Sequence, residues 1–426
     1  MGKRELNKST SFTEKNYLKV LGIVLFASLI IKAAAIVFLL YGLKIDPGGA
    51  IYDELIDNLI AGRGFVSYPA YPPELYRTPL YPLIGAGIKL VFGGGFLPII
   101  VAQVLMDILT CIVIYTIGLM IFNFKVGIIS AAIAGVYPLS VYYASRVINE
   151  TLFTLQISLI LLTFLFIWRK PHLKGPYLLE GIMFGLATLC KPYIMAFVLF
   201  LGGAVWLKEN LSSKIFLRLV LMVLAMVAVI SPWTIRNYLV TGDFVPVATG
   251  LGYNMWLGNR VESEGREDHE LEGKVLASYR EERDRIVNEN GGMGNAFFDV
   301  RLDRRFIEKA IDNFISQPLP TIKLMLWKPV RLWYDVFHLK NKKYQWIVML
   351  IQIPLILMGF IGLIMCICKG YLVAMPFLLL ILYHILIAIF ITSTVRYIVP
   401  VMPTMILFAT YLAVGRDGDR NGHAEQ

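Results

Sequence analysis

Two carboxylates, five cations and four tyrosines stand out in a chain that is otherwise poor in charge. They are Asp46 and Glu150; Arg77, Arg146, Lys191, Arg236 and Arg396; and Tyr52, Tyr81, Tyr143 and Tyr397. Each sits in a short polar stretch beside an apolar run, and several adjoin proline, as in Arg77-Thr-Pro-Leu-Tyr81-Pro82, Lys191-Pro192 and Pro232-Trp233-Thr-Ile-Arg236. Cations at the edge of a bilayer suit a phosphate group, and arginine offers it a bidentate fork. A carboxylate that reaches an acceptor hydroxyl can remove its proton. Taken singly, each residue has a plainer role, since loop carboxylates are usually solvated and arginines near helix ends extend to lipid headgroups. It is their gathering at one membrane face that points to chemistry on a phosphate.

The elements that must position them are apolar. Of 426 residues, 57% are hydrophobic and only 16% charged, with a mean hydropathy of +0.65. Soluble domains carry about 25% charge, and runs of roughly 20 apolar residues, the length a bilayer core demands, recur along the chain. A soluble enzyme, a disordered chain and a transmembrane barrel, which would show short alternating strands, are excluded. The net charge of +10 does not indicate nucleic acid, because most Lys and Arg lie in short loops flanking apolar runs. Cys111, Cys190, Cys366 and Cys368 lie in or at the edge of apolar spans and imply no disulfide framework. The five histidines lack metal-ligand spacing.

An all-α polytopic membrane protein of about ten spans follows from these runs and their basic flanks. The spans are expected near 21–43, 98–121, 127–145, 150–168, 177–190, 191–207, 218–235, 345–367, 371–391 and 397–414. Lys125, Arg169, Lys170, Lys174, Lys208 to Arg218 and Lys369 then share the cytoplasmic side, with both termini. The regions are a cytoplasmic N-terminus (1–19), an N-terminal transmembrane module (20–235) with an external loop at 44–97, an external insertion (236–343), C-terminal transmembrane helices (344–414) and a cytoplasmic tail (415–426). In the first loop, Ile51, Leu55 and Leu59 stand at helical spacing opposite Asp53, Glu54 and Asp57, the pattern of a helix lying in the interface. Leu80 to Phe92 reads as interfacial or re-entrant, and Trp327, Trp333, Tyr334 and Phe337 mark a second interfacial helix in the insertion. Asp107 and Gln103, one turn apart in the second span, read either as a functional carboxylate or as a pair that fixes helix packing.

The motif series resembles that of the GT-C glycosyltransferases. It runs Y-D-E-L-I-D-N-L-I-A-G-R-G-F from Tyr52, then R-T-P-L-Y-P, Y-P-x-S-x-Y-Y-A-S-R-x-x-x-E ending at Glu150, L-C-K-P around Lys191, P-W-T-I-R-N-Y around Arg236, and V-R-Y-I-V-P-V-M-P around Arg396. The likeness is greatest to the protein-O-mannosyltransferase and aminoarabinose-transferase-like group and covers about residues 20–410. It implies the GT-C fold with interfacial helices in the first external loop. It also implies an enzyme that passes a sugar from a polyprenyl-phosphate carrier to a protein, lipid or glycan acceptor outside the cytoplasm, in the cell membrane (the inner one in a prokaryote). The family's essential first-loop acid stands about four residues before the tyrosine matching Tyr52. Here that position is Gly48 and the nearest upstream acid is Asp46, with Asp53 and Asp57 as alternatives. Glu150 matches the acid of the second external loop, and Lys191 stands where the family more often has Arg.

On this reading Arg396, Lys191 and Arg77 or Arg236 stabilise the charge that grows on the leaving phosphate. Asp46 takes the acceptor proton in a single inverting displacement, and Glu150 and the tyrosines hold the sugar. The residues point to no certain cofactor, and a divalent cation has a place if Asp46 and Glu150 approach each other. The competing function is a transporter or flippase for a lipid-linked sugar, which needs polar groups at mid-membrane. Few are present there (Lys32, Asp107, His384).

Overall fold

The structure is a computed structural model and describes residues 2–48, 52–67, 73–261, 281, 300–336 and 342–415. Among them there are helices and no strands. In chain order the helices are α1 (Gly2–Val37), α2 (Tyr52–Ile60), α3 (Leu80–Phe92), α4 (Leu97–Ile121), α5 (Phe124–Gly135), α6 (Pro138–Ala144), α7 (Glu150–Arg169) and α8 (Gly175–Cys190). They continue as α9 (Phe197–Lys208), α10 (Ser213–Thr241), α11 (Leu251–Gly258), α12 (Val300–Ser316), α13 (Pro318–Arg331), α14 (Lys342–Cys368), α15 (Met375–Phe390) and α16 (Met402–Val414).

Seven helical stretches among the described residues are long and apolar enough to cross a membrane, as an integral multi-pass protein requires. They match the expected spans in α1, α4, α7, α10, α14, α15 and α16. The expected span at 127–145 is instead a pair, α5 and α6, bent by 51° at a break. Tyr137-Pro138 lies there, and proline has no N–H to continue the hydrogen-bond ladder. The stretches expected at 177–190 and 191–207 are shorter helices, of 16 residues in α8 and 12 in α9. Pro192 separates them: the residue before a proline is driven out of the helical region, and Lys191 has φ −145° and ψ 106°.

The core is centred on α7, which is buried along most of its length. Two of its hydroxyls are satisfied within the helix, Thr154 donating to the Glu150 carbonyl (2.8 Å) and Ser158 to that of Thr154 (2.9 Å). α8 packs on α7 and along α10. The approach to α10 depends on Gly181 and Gly185, where an added Cβ would stand 2.1 Å from the Met222 carbonyl oxygen and 2.6 Å from Val229 Cβ. Such small residues four apart let two membrane helices meet backbone to backbone. Gly181→Leu is expected to push α8 off α10 and cost about 1–3 kcal/mol, measured as a lower melting temperature in detergent. An unchanged melting temperature would show that the contact carries no stability.

An intramembrane ion pair ties three elements. Asp107 of α4 meets Lys32 of α1, and both side chains are buried. Lys32 Nζ also donates to Ser140 Oγ of α6 at 3.2 Å. Asp107 is therefore held by a cation rather than by Gln103, whose own partners belong to the site described below. Asp107 borders a cavity of about 20 Å³, lined in part by Thr110, Tyr143, Thr151 and Thr154.

The helix of the first loop, α2, buries one face and exposes the other. Tyr52, Leu55, Ile56 and Asn58 are buried, and the helix packs on α3. Asp57 remains exposed and accepts a hydrogen bond from Lys89 Nζ at 2.7 Å. In the insertion, α11 is capped from a distance: Asp303 Oδ1 of α12 accepts from the backbone N–H groups of Gly250 (3.0 Å), Gly252 (2.8 Å) and Tyr253 (3.3 Å). Gly250 has φ +100°, and the Tyr76 ring covers it so closely that a Cβ would lie 2.2 Å from Cε2. α13 exposes Leu319, Ile322, Leu326, Trp327 and Val330 while burying Leu324, Lys328 and Arg331. Phe337 and Lys340 lie outside the described residues.

Candidate active site

Three chain breaks meet at one end of the bundle. Glu150 opens α7, where a helix N-terminus favours a carboxylate. Lys191 follows the last residue of α8, and Arg396 sits in the short 3₁₀ turn Val395–Tyr397 ahead of α16. Lys191 Nζ donates to Glu150 Oε1 at 3.0 Å, and Arg396 Nε lies 3.3 Å from the same oxygen. Glu150 is 2% exposed. Its second oxygen, Oε2, is buried without a hydrogen-bond partner among the described residues. Two cations thus share one carboxylate oxygen, and the Arg396 side chain remains about a third exposed (34%).

Neighbouring groups fix these residues. The Cys190 carbonyl, just before Lys191, accepts from Thr78 Oγ1 (2.7 Å) and from Asn149 Nδ2 (3.0 Å). This one acceptor locks the end of α8 to the residue after Arg77 and to the residue before Glu150. Lys191 Nζ lies 5.5 Å from the Phe153 ring centroid and 5.8 Å from that of Tyr397. The Tyr193 ring packs edge-on to Phe153, Tyr397 and His384. The ammonium is therefore held among π faces, which attract cations.

Arg77 supplies a third cation. Its guanidinium lies 4.8 Å from the Tyr76 ring centroid and 5.5 Å from that of Tyr52, and its Nε is buried without a hydrogen-bond partner among the described residues. Tyr52 and Tyr81 pack edge to face at 5.1 Å. Burial pushes the Tyr52 hydroxyl up to about 12, with Arg77 acting in the opposite sense and Glu150 and Arg396 close enough to contribute. At neutral pH that phenol keeps its proton and can donate. The Tyr81 hydroxyl donates to Gln103 Oε1 (2.9 Å), while Gln103 Nε2 donates to the carbonyls of Ala144 (3.1 Å) and Arg146 (2.8 Å).

The remaining sequence candidates fall around this centre. Asp46 is exposed, and its Oδ1 accepts from Gly48 N at 2.9 Å, a local turn typical of aspartate. Its loop is strapped to the segment before Glu150: Val147 N donates to the Pro47 carbonyl (2.8 Å) and Arg146 Nη2 to that of Gly48 (3.0 Å). Arg146 thus holds the Asp46 loop, and its Nη1 also donates to the Tyr142 hydroxyl (2.9 Å). Tyr143 lines the cavity beside Asp107. Arg236 is engaged elsewhere, donating to the Glu74 carbonyl (3.1 Å) and lying over the rings of Trp233 (4.7 Å) and Phe65 (5.6 Å). Sequence reasoning did not single out Thr78, Asn149 or Tyr193, although each adjoins or nearly adjoins a residue that it did.

Oε1 of Glu150 already faces two cations, and no three potential metal ligands gather among the described residues.

Residues 76–233 match the family described as dolichyl-phosphate-mannose-protein mannosyltransferase. No curated protein matches the sequence. Among solved structures, the chain is similar to the oligosaccharyltransferase AglB from Archaeoglobus fulgidus, solved with an inhibitory peptide and a dolichol-phosphate. The TM-score is 0.59 at 14% identity, covering 96% of this chain and 51% of that one. It is similar too to the A. fulgidus oligosaccharyltransferase tethered to an acceptor peptide, with a TM-score of 0.55 at 15% identity and coverage of 94% and 50%. ArnT from Cupriavidus metallidurans, solved with undecaprenyl phosphate, gives a TM-score of 0.43 at 14% identity, covering 95% of this chain and 78% of that one. The chain spans about half the length of the archaeal proteins it matches. With Arg77, Glu150 and Lys191 inside the matched stretch, the chain is a membrane protein of the GT-C glycosyltransferase fold whose residues 76–233 match the mannosyltransferase family.

Proposed function

We propose that this protein transfers a sugar from a polyprenyl-phosphate carrier to a protein, lipid or glycan acceptor at the extracytoplasmic face of the membrane. The observation that carries the reading is the pair Lys191 and Arg396 on the buried carboxylate of Glu150, with Arg77 against the neighbouring Tyr52 ring. Two cations against the one carboxylate of Glu150 leave its surroundings positive, as a phosphate requires. The match to a dolichyl-phosphate-mannose family, and the dolichol-phosphate in the similarly folded AglB, support a lipid-borne phosphate rather than a soluble one.

The chemistry follows from where charge moves. As the bond from sugar C1 to the carrier oxygen breaks, its electron pair goes to the phosphate, and Arg396 and Lys191 stabilise the negative charge. The acceptor hydroxyl attacks C1 from the opposite side, inverting it, and passes its proton to Asp46. Tyr52, protonated and beside Arg77, donates to a sugar oxygen, and Glu150 Oε2 accepts from a sugar hydroxyl. Arg236 and Arg146 support the loops that carry Arg77 and Asp46.

The test is transfer in proteoliposomes from labelled polyprenyl-phosphate sugars, comparing the native chain with Asp46→Asn. A loss of about 10²–10⁴-fold with carrier binding retained is expected. Full activity of Asp46→Asn would remove Asp46 as the base and leave Asp53, because Asp57 is engaged by Lys89. Translocation of the carrier sugar without transfer would instead identify a flippase.

A further inference from the structure

Arg396 stands at the end of a strap, residues 391–395, that leaves α15 at Phe390 and turns into the site. The insertion grips this strap along its length. Lys328 of α13, fully buried, donates through Nζ to the Ile391 carbonyl (2.9 Å) and to Asn259 Oδ1 (2.9 Å). Asn259, just past α11, donates through Nδ2 to the Phe390 carbonyl (2.8 Å). Ser393 Oγ donates back to the Lys328 carbonyl (2.8 Å), and Val395 N to that of Asp335 (3.4 Å). Gly258 permits the contact, since a Cβ there would stand 2.4 Å from the Ile391 carbonyl carbon.

A buried lysine is costly unless its donors are met. Burial, with Arg331 alongside, pushes the Lys328 ammonium down to about 7, and the nearby Asp335 carboxylate is 3.3 Å from Arg331 Nε. An apolar residue would fill the space at less cost. What the lysine adds is a tie between two segments of the insertion and the backbone of the strap, one residue past Phe390 and five before Arg396.

We propose that Lys328 is a positioning residue: from the insertion it fixes the 391–395 strap, and through the strap it holds Arg396 against Glu150, so that the insertion sets the affinity of the site for its phosphate ligand. The inference rests on the phosphate-site reading above and adds the element that controls it.

Undecaprenyl phosphate is the probe, with its binding measured to the full chain in nanodiscs for the native protein, Lys328→Met, Arg396→Ala and the double variant. Lys328→Met is expected to weaken binding about tenfold, with no further loss when it is added to Arg396→Ala, because the two changes remove one interaction. Native-like affinity in Lys328→Met would overturn the inference, as would losses that multiply in the double variant. Native-like affinity in Arg396→Ala would overturn the phosphate-site reading and the inference with it. Ser393→Ala removes one bond from the strap and leaves the core packing intact. It is expected to weaken binding about threefold, again only where Arg396 is present. A threefold loss that persists in the Arg396→Ala background would assign the effect to general destabilisation and overturn the proposal even if Lys328→Met failed to fold.

Discussion

Arg396→Ala should lower sugar transfer about 10²–10³-fold, equivalent to about 2.7–4 kcal/mol of lost transition-state stabilisation, while the protein melts close to the native temperature. The two halves of this result have separate causes. Arg396 is about a third exposed, so its removal leaves no large cavity, and Glu150 keeps its hydrogen bond to Lys191 at 3.0 Å. The fold therefore loses little. The proposed transfer loses much, because a leaving phosphate gains charge as the bond to the sugar breaks, and a donor fixed beforehand stabilises that charge without reorganising. The loss should fall mainly on kcat, since the interaction strengthens in the transition state. Single-turnover transfer in proteoliposomes separates this step from carrier release. Turnover within a few-fold of native would show that the guanidinium does not face the leaving group.

The second large effect lies inside the membrane and concerns stability. Lys32→Met strips Asp107 of its cation and is expected to destabilise the fold by about 3–5 kcal/mol, with the orphaned carboxyl taking up a proton to limit the cost. Adding Asp107→Leu to Lys32→Met should recover most of that loss, because replacing both members of a buried pair with apolar residues is often neutral. Melting temperatures of the two variants in detergent decide the matter. If the single variant is as stable as native, the pair does not hold α1 to α4. Since Lys32 also donates to Ser140 of the bent segment, the double variant should loosen α6 most.

How legible these features were depends on the range of the interactions. Apolar runs are a local property, so the seven long spans could be read directly from the sequence. The bend at Tyr137-Pro138 and the break at Lys191-Pro192 were legible only as prolines, because the outcome in each case depends on what packs beside them. The sequence placed Glu150, Lys191 and Arg396 in one set through the order of their motifs. It could not show that both cations share one oxygen, which depends on how α7, α8 and α16 dock. The partner of Asp107 was missed for the same reason: Lys32 is 75 residues away in the chain, whereas Gln103 is one turn away and has the better local claim. Arg236 resembled the other cations in its setting, yet it serves the Glu74 carbonyl and two aromatic rings. No composition or spacing distinguishes an arginine that supports a loop from one that faces a substrate.

On the proposed reaction, the shared oxygen of Glu150 bears on how fast a spent carrier leaves. Two bare cations would hold a lipid phosphate so tightly that each cycle would end in a product-inhibited state. On the proposed reaction, with Glu150 already in contact with both, an arriving phosphate competes with a resident anion, and a departing one is replaced by it. The carboxylate would then act as a built-in exchange partner, giving up some grip on the carrier in return for repeated turnover.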